Sequence, residues 1–155
     1  MTTINGPLEE KATAVTGDAL QDTLVDLIDL SLTAKQAHWN LVGKRFRSIH
    51  LQLDELVSAA RGYTDQVAER AAALGVNPDG TAGTVAANSQ VPQFDAGWLS
   101  DDGVVAHLVA VYQGVIARMR ERIATTGDTD VVTQDLFISL TAELEKECWM
   151  LQAER

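Results

Sequence analysis

The 155-residue chain has a single cysteine, Cys148, which excludes an intrachain disulfide and leads us to expect a reducing, cytoplasmic setting. Positive charge is also scarce. Twelve Lys and Arg stand against 22 Asp and Glu, a formal net charge of −10. General affinity for nucleic acid or anionic membranes needs a basic surface, whereas this excess of carboxylate suits the attraction of cations. Long hydrophobic runs are missing. The most apolar stretch, residues 104–117, is broken by His107, Gln113 and Gly114, and is too short and too polar to span a bilayer. The opening MTTINGPLEEK has no basic region followed by an apolar one, so it does not read as a secretory signal. No period-two strand pattern and no repeat of 20–50 residues is present.

What is there is helical periodicity, and the fold class it predicts is all-α. Residues 1–15 show little periodicity and read as a mobile N-terminal tail; residues 16–155 read as one domain. Thr16 and Asp18 are candidate caps for a first helix. Leu20, Leu24, Leu27 and Ile28 mark its buried face, and Gly43 follows its expected end near Leu41. A second helix is expected over residues 44–74, with Ile49, Leu53, Leu56, Val57, Ala60, Val67, Ala71 and Leu74 inward and Gly75 as its stop. Asn77, Pro78, Asp79, Gly80, Gly83, Pro92 and Gly97 then mark a long connection, with a short helix near residues 84–88. Ser100, Asp101 and Asp102 cap a third helix presenting Val104, Leu108, Val111, Val115 and Met119. After a turn at Thr126, Gly127 and Asp128, a fourth helix carries Leu136, Leu140, Leu144 and Leu151 inward. Two helix pairs joined by one long crossover make the ferritin-like form of the four-helix bundle.

The second helix also carries a polar stripe. At ~100° per residue, with Ile49 at zero, His50, Asp54, Asp65 and Glu69 fall at roughly 100, 140, 160 and 200°, away from the subunit's own core. Acidic residues on an outer helix face are routine, so Asp65 and Glu69 alone fit a solvated surface. His50 and Asp54 are separated by four positions, which places two metal-binding side chains on adjacent turns.

Distance discriminates between arrangements. The two halves of the stripe are 15 residues, or ~22 Å, apart along the axis, whereas metal–ligand bonds are ~2.0–2.2 Å. One helix cannot close both halves on one ion. Two copies lying antiparallel across a two-fold axis can: His50 then faces Glu69 of the partner subunit, and Asp54 faces Asp65 of the partner subunit. Both pairings share one register, centred between Ala59 and Ala60, with Ser58 and Gly62 beside them to permit close approach. An isologous dimer with two identical centres follows. His38, near the end of the first helix, can reach the His50 end of the stripe; its helix phase, on the side of Leu20, equally fits a buried structural histidine. Carboxylates mixed with imidazole suit Fe(II), Mn(II) or Zn(II). Neither Glu-x-x-His nor HExxH is present.

These residues resemble the Dps family, the dodecameric mini-ferritins named as DNA-binding proteins from starved cells. The resemblance runs through residues 24–70, LVDLIDLSLTAKQAHWNLVGKRFRSIHLQLDELV and the Asp65 to Arg70 continuation, and more weakly through VTQDLF and AELEKECWMLQAE. His-Trp-Asn, a second His twelve residues after the first, Asp-Glu, then D-x-x-A-E-R form a highly specific pattern. The resemblance implies a ferroxidase and metal centre at His38, His50, Asp54, Asp65 and Glu69, with two iron ions, Fe(II) becoming Fe(III), at each intersubunit site. It implies hydrogen peroxide as oxidant, two-fold dimers assembled into a dodecamer, and a hollow shell that stores Fe(III).

Acidic pores at three-fold axes, near the start of the last helix, are part of the same implication; Asp128, Asp130 and Asp135 occupy that region, and helix caps are the other use for acids there. Trp39 and Tyr63 are candidates for quenching stray oxidising equivalents or for interface packing. Lys35 is a candidate partner for a site carboxylate. The chain departs from DNA-binding members in its tail, where Lys11 stands against Glu9 and Glu10, and this argues against DNA binding. Two other functions remain: a metal-dependent amide-type hydrolase using the same centre, and a nucleoid-binding structural protein.

Overall fold

The structure, a computed structural model, describes residues 3–154. Its elements are α1 (Glu10–Asn40), β1 (Leu41–Val42), α2 (Phe46–Ala73), α3 (Ala82–Asn88), β2 (Leu99–Ser100), α4 (Asp101–Gly127) and α5 (Val131–Gln152). Helices α1, α2, α4 and α5 form the bundle, with α1 packed on α2 and α4 on α5. The short α3 sits in the crossover against α1. This is the expected ferritin-like bundle with one long crossover.

The apolar faces meet as the periodicity requires. Leu20, Leu24, Leu27, Ile49, Leu53, Val67, Leu108, Val115, Met119, Leu140 and Leu144 are all buried in one continuous core. Phe137, rather than its neighbour Leu136, is fully buried on α5; Leu136 packs at the core's edge. Ser100 caps α4 by accepting from the Gly103 amide, and Asp130 caps α5 by accepting from the Val132 and Thr133 amides. These side-chain acceptors satisfy donors that a helix N-terminus leaves unpaired.

The N-terminal boundary differs from the sequence expectation. The mobile stretch expected over residues 1–15 is corrected for its last six residues, because α1 begins at Glu10. Thr16 is a buried residue inside the helix, and its hydroxyl meets that of Thr129 at 2.9 Å. Glu10, Lys11, Ala12 and Ala14 are good helix formers, and Leu8 packs against the core. The segment before α1 crosses the end of α2: Gly75 has φ 77°, and a Cβ there would lie 2.8 Å from the Ile4 carbonyl oxygen. Residues 1 and 2 lie outside the described residues.

Three side-chain sets hold the crossover. Gln21 donates to the Asp79 carbonyl at 2.8 Å and accepts from its amide at 2.9 Å. Asp29, buried on α1, accepts from Ser89 and Gln93. His107 on α4 donates to the Pro92 carbonyl at 3.0 Å and packs against Phe94 with the rings tilted by 31°. A two-residue parallel bridge, Leu41 to Leu99 and Val42 to Ser100, ties the α1–α2 turn to the start of α4. Sequence periodicity gave no sign of it, since two residues are too few to show an alternation. Gly43 makes that turn with φ 144°, where a Cβ would collide with the Asp101 carboxylate.

Candidate metal centre

The Gly43 turn brings α2 back antiparallel beside α1 and sets His38 against His50. Their rings stack with centroids 3.7 Å apart and 20° between planes. His38 Nδ1 donates to the His50 carbonyl at 2.9 Å, and His50 Nδ1 donates to the His38 carbonyl at 3.1 Å. A carbonyl only accepts, so both Nδ1 atoms carry hydrogen, and in neutral imidazole each Nε2 then keeps its lone pair. Fixing one ring nitrogen to backbone is how proteins orient an imidazole for metal binding. Phe46 stacks on the other face of His50 at 4.9 Å. His38 is 7% exposed and His50 half-buried, so the pair opens outward through His50.

Asp54 stands one turn beyond His50 and is exposed. Its Oδ1 accepts from Lys35 Nζ at 2.5 Å and lies 3.4 Å from His38 Nδ1. The Lys35 hydrogen bond, opposed by partial burial and aided by the charges of His38, Lys35 and His50, holds the Asp54 carboxyl below its usual range. Lys35 thus pairs with a site carboxylate; it also lies 5.9 Å from the Trp39 ring, which is 66% exposed.

Asp65 and Glu69 are exposed on the same outward face, and neither has a hydrogen bond or ion pair among the described residues. The fold therefore gathers His38, His50 and Asp54 at one end of α2 and leaves Asp65 and Glu69 at the other. Among the described residues of one subunit, no three His, Cys, Asp or Glu side chains converge closely enough to hold a metal ion. Between the two ends, nothing lies within 4 Å of a Cβ placed on Gly62.

The three acidic pore candidates separate. Asp128 and Asp135 are exposed. Asp130 is buried and committed: beyond its cap role it bonds Arg70 Nη2 at 2.6 Å and the Thr133 hydroxyl at 2.5 Å. Burial disfavours its charge, but the Thr133 and Arg70 hydrogen bonds outweigh that and hold its carboxyl below the ordinary value. Of the two uses open to an acid at this helix start, cap or pore, Asp130 serves as the cap.

Tyr63 is half-buried within the subunit. It packs against the core, and its hydroxyl donates to Glu147 Oε1 on α5 at 3.0 Å. No motif marked Glu147, which reads in the sequence as one more acid in AELEKE.

Two antiparallel helix pairs joined by one long crossover make the ferritin-like class of four-helix bundle. Family comparison agrees: a model described as "Ferritin-like domain" matches residues 17–154. The DNA protection during starvation protein of Mycolicibacterium smegmatis is 42% identical over 154 residues, 97% of this chain and 82% of that protein. A solved structure of Mycobacterium smegmatis Dps superposes with a TM-score of 0.93 at 39% identity, covering 99% of this chain and 94% of that one. Dps from Microbacterium arborescens, solved "in the high iron form", gives 0.91 at 27% identity, with 97% of each chain covered. The chain belongs to the ferritin-like proteins and, within them, to the Dps family of mini-ferritins.

Proposed function

We propose that the protein is a ferroxidase and iron store whose metal centres form between two subunits. The observation that carries this reading is the split stripe on α2, joined at one end by His38 of α1. Two imidazoles with free Nε2 atoms and one carboxylate stand at one end, and two unpaired carboxylates stand 15 residues away on the same face. Membership of the Dps family supports it, since iron storage and ferroxidase activity go with that family.

In this reading His38, His50 and Asp54 of one subunit and Asp65 and Glu69 of its two-fold mate bind two Fe(II) ions, which are substrate. The imidazole nitrogens favour Fe(II), and three carboxylates stabilise Fe(III) as it forms. Hydrogen peroxide takes one electron from each Fe(II) and two protons from solvent. Two waters leave, and no hydroxyl radical is released. Lys35 occupies Asp54 until iron displaces it. The dimers assemble into a hollow dodecamer that holds the Fe(III) mineral, and Asp128 and Asp135 line its iron pores. No helix among the described residues is long and apolar enough to cross a membrane. The lone buried Cys148 fits a cytoplasmic setting. A net charge of −10 argues against DNA as a partner.

The test is Fe(II) added anaerobically, then peroxide, with Fe(III) absorbance followed for the intact protein and for an Asp54→Ala, Glu69→Ala double variant. The variant is expected to lose the fast phase. Equal rates for the two proteins would overturn the assignment.

A further inference from the structure

A second redox-capable group lies inside the bundle, behind the metal face of α2. Tyr63 is half-buried against the core and donates its hydroxyl hydrogen to Glu147 Oε1 at 3.0 Å. Glu147 is 6% exposed, and its other oxygen, Oε2, has no hydrogen-bond partner. Tyr112, fully buried on α4, turns its own unpartnered hydroxyl toward the same carboxylate. Among the described residues no lysine or arginine is bonded to Glu147, so this is an acid set between two phenols rather than a buried ion pair. Such a group is costly to bury for packing alone. Burial also makes its carboxylate a stronger base than a surface glutamate.

Tyr63 is two residues before Asp65, about 3 Å along the axis and roughly 200° around it. The phenol therefore faces inward while the metal-binding carboxylate faces outward. One helix diameter, roughly 10–12 Å, separates them.

We propose that Tyr63 is a one-electron donor, with Glu147 as its proton acceptor, that completes peroxide reduction when a centre holds a single ferrous ion. The electron balance is direct. Peroxide needs two electrons, and one Fe(II) supplies one. Tyr63 supplies the second, its O–H bond breaks, and the proton crosses the existing hydrogen bond to Glu147. The products are Fe(III), two hydroxide ions, the Tyr63 phenoxyl radical and protonated Glu147. A later Fe(II) returns the electron, Glu147 returns the proton, and Tyr63 is restored. Without the carboxylate, oxidation would have to expel a phenolic proton into an apolar core. Trp39 has no carboxylate on its indole N–H among the described residues and is largely exposed, so it lacks that assistance. The inference rests on the ferroxidase reading for its oxidant, though not for the chemistry of the Tyr63–Glu147 pair.

Two arms separate the two claims. In the first, shells loaded with one Fe(II) per centre are mixed with peroxide, frozen within milliseconds and examined by electron paramagnetic resonance, with ring-deuterated tyrosine to identify the signal. A tyrosyl signal is expected. Tyr63→Phe, which removes one hydroxyl, should abolish it and increase spin-trapped hydroxyl radical several-fold; Glu147→Gln should cut its yield at least fivefold; Tyr112→Phe should retain it. In the second arm, metal-free protein is oxidised by azide radicals from pulse radiolysis, and the phenoxyl absorbance is followed in the same variants. Loss of the signal in Tyr63→Phe here, with no iron oxidation in the first arm, would sustain the pair and defeat the ferroxidase reading. An undiminished tyrosyl signal in Tyr63→Phe, or an unchanged yield in Glu147→Gln, in both arms would overturn the inference.

Discussion

His38 and His50 each donate from Nδ1 to the other's backbone carbonyl while their rings stack at 3.7 Å. The reciprocity fixes both tautomers, so two Nε2 lone pairs are presented together at the rim of the α1–α2 turn. Neither ring needs to rotate or change tautomer to accept a metal, and such preorganisation lowers the cost of binding. His50→Ala therefore removes a ligand and also frees His38. Co(II), a spectroscopic stand-in for Fe(II), should bind at least tenfold more weakly in the His50→Ala variant, measured by anaerobic titration; unchanged affinity would contradict the assignment.

Lys35 competes with metal for Asp54. Replacing it by methionine keeps the aliphatic stem and removes the charge. Lys35→Met should raise Co(II) affinity about two- to fivefold, the range set by solvent-exposed ion pairs. The gain should shrink as salt is raised, because exposed pairs are screened. A loss of affinity would mean that Lys35 orients Asp54 rather than blocking it.

Asp130 and its acidic neighbours should behave as different classes. Asp130→Ala removes the α5 cap and leaves Arg70 without its partner, so it should cost about 2–3 kcal/mol in chemical denaturation. Asp128→Ala and Asp135→Ala should stay within about 0.5 kcal/mol of the parent, as surface changes do, while slowing the uptake of iron into the shell. Equal stability for all three variants would remove the distinction.

Glu147 gives a pH signature. Burial raises its folded pKa above the ordinary value of 4.5, against the opposing effect of the Tyr63 hydrogen bond and the nearby Tyr112 hydroxyl. The protonated form is thus favoured by folding. Its stabilising contribution is complete below pH 4.5 and is lost as pH rises through the folded pKa. Glu147→Gln keeps an oxygen for the Tyr63 hydroxyl and cannot ionise. Its melting temperature should match the parent at the acid end and exceed it by a few degrees at neutral pH. A variant less stable than the parent at neutral pH would reverse the sign.

Gly62 has open space around it in the subunit. Gly62→Leu should leave the subunit's far-UV circular dichroism unchanged and block assembly across the α2 face, read by light scattering. Intact shells would place the two-fold contact elsewhere.

Much of this molecule was legible in its residues. The bundle followed from the period of Leu20, Leu24, Leu27, Ile49, Leu53 and Leu56, and the crossover from Pro78, Gly80, Pro92 and Gly97, because local propensity and burial agree there. The stripe of His50, Asp54, Asp65 and Glu69 emerged from helix geometry alone. The start of α1 did not, since Thr16 resembled a cap and only tertiary contact with Thr129 shows it to be interior. Asp130 looked like any acid at a helix start until Arg70, 60 residues away, was found bonded to it. Glu147 was invisible for the same reason: its meaning comes from Tyr63 and Tyr112 on two other helices. Contacts between distant segments leave no local pattern to read.

The central claim is that each metal centre takes His50 from one subunit and Glu69 from another, and mixed shells test it most directly. His50→Ala and Glu69→Ala variants are each inactive in this account. Dissociated together and reassembled at equal amounts, about half of the two-fold dimers combine one of each. In those dimers one centre carries both substitutions and the other carries neither. Peroxide-driven Fe(II) oxidation should return to about a quarter of the wild-type rate per subunit. Mixed shells as inactive as either parent would contradict a centre shared between subunits.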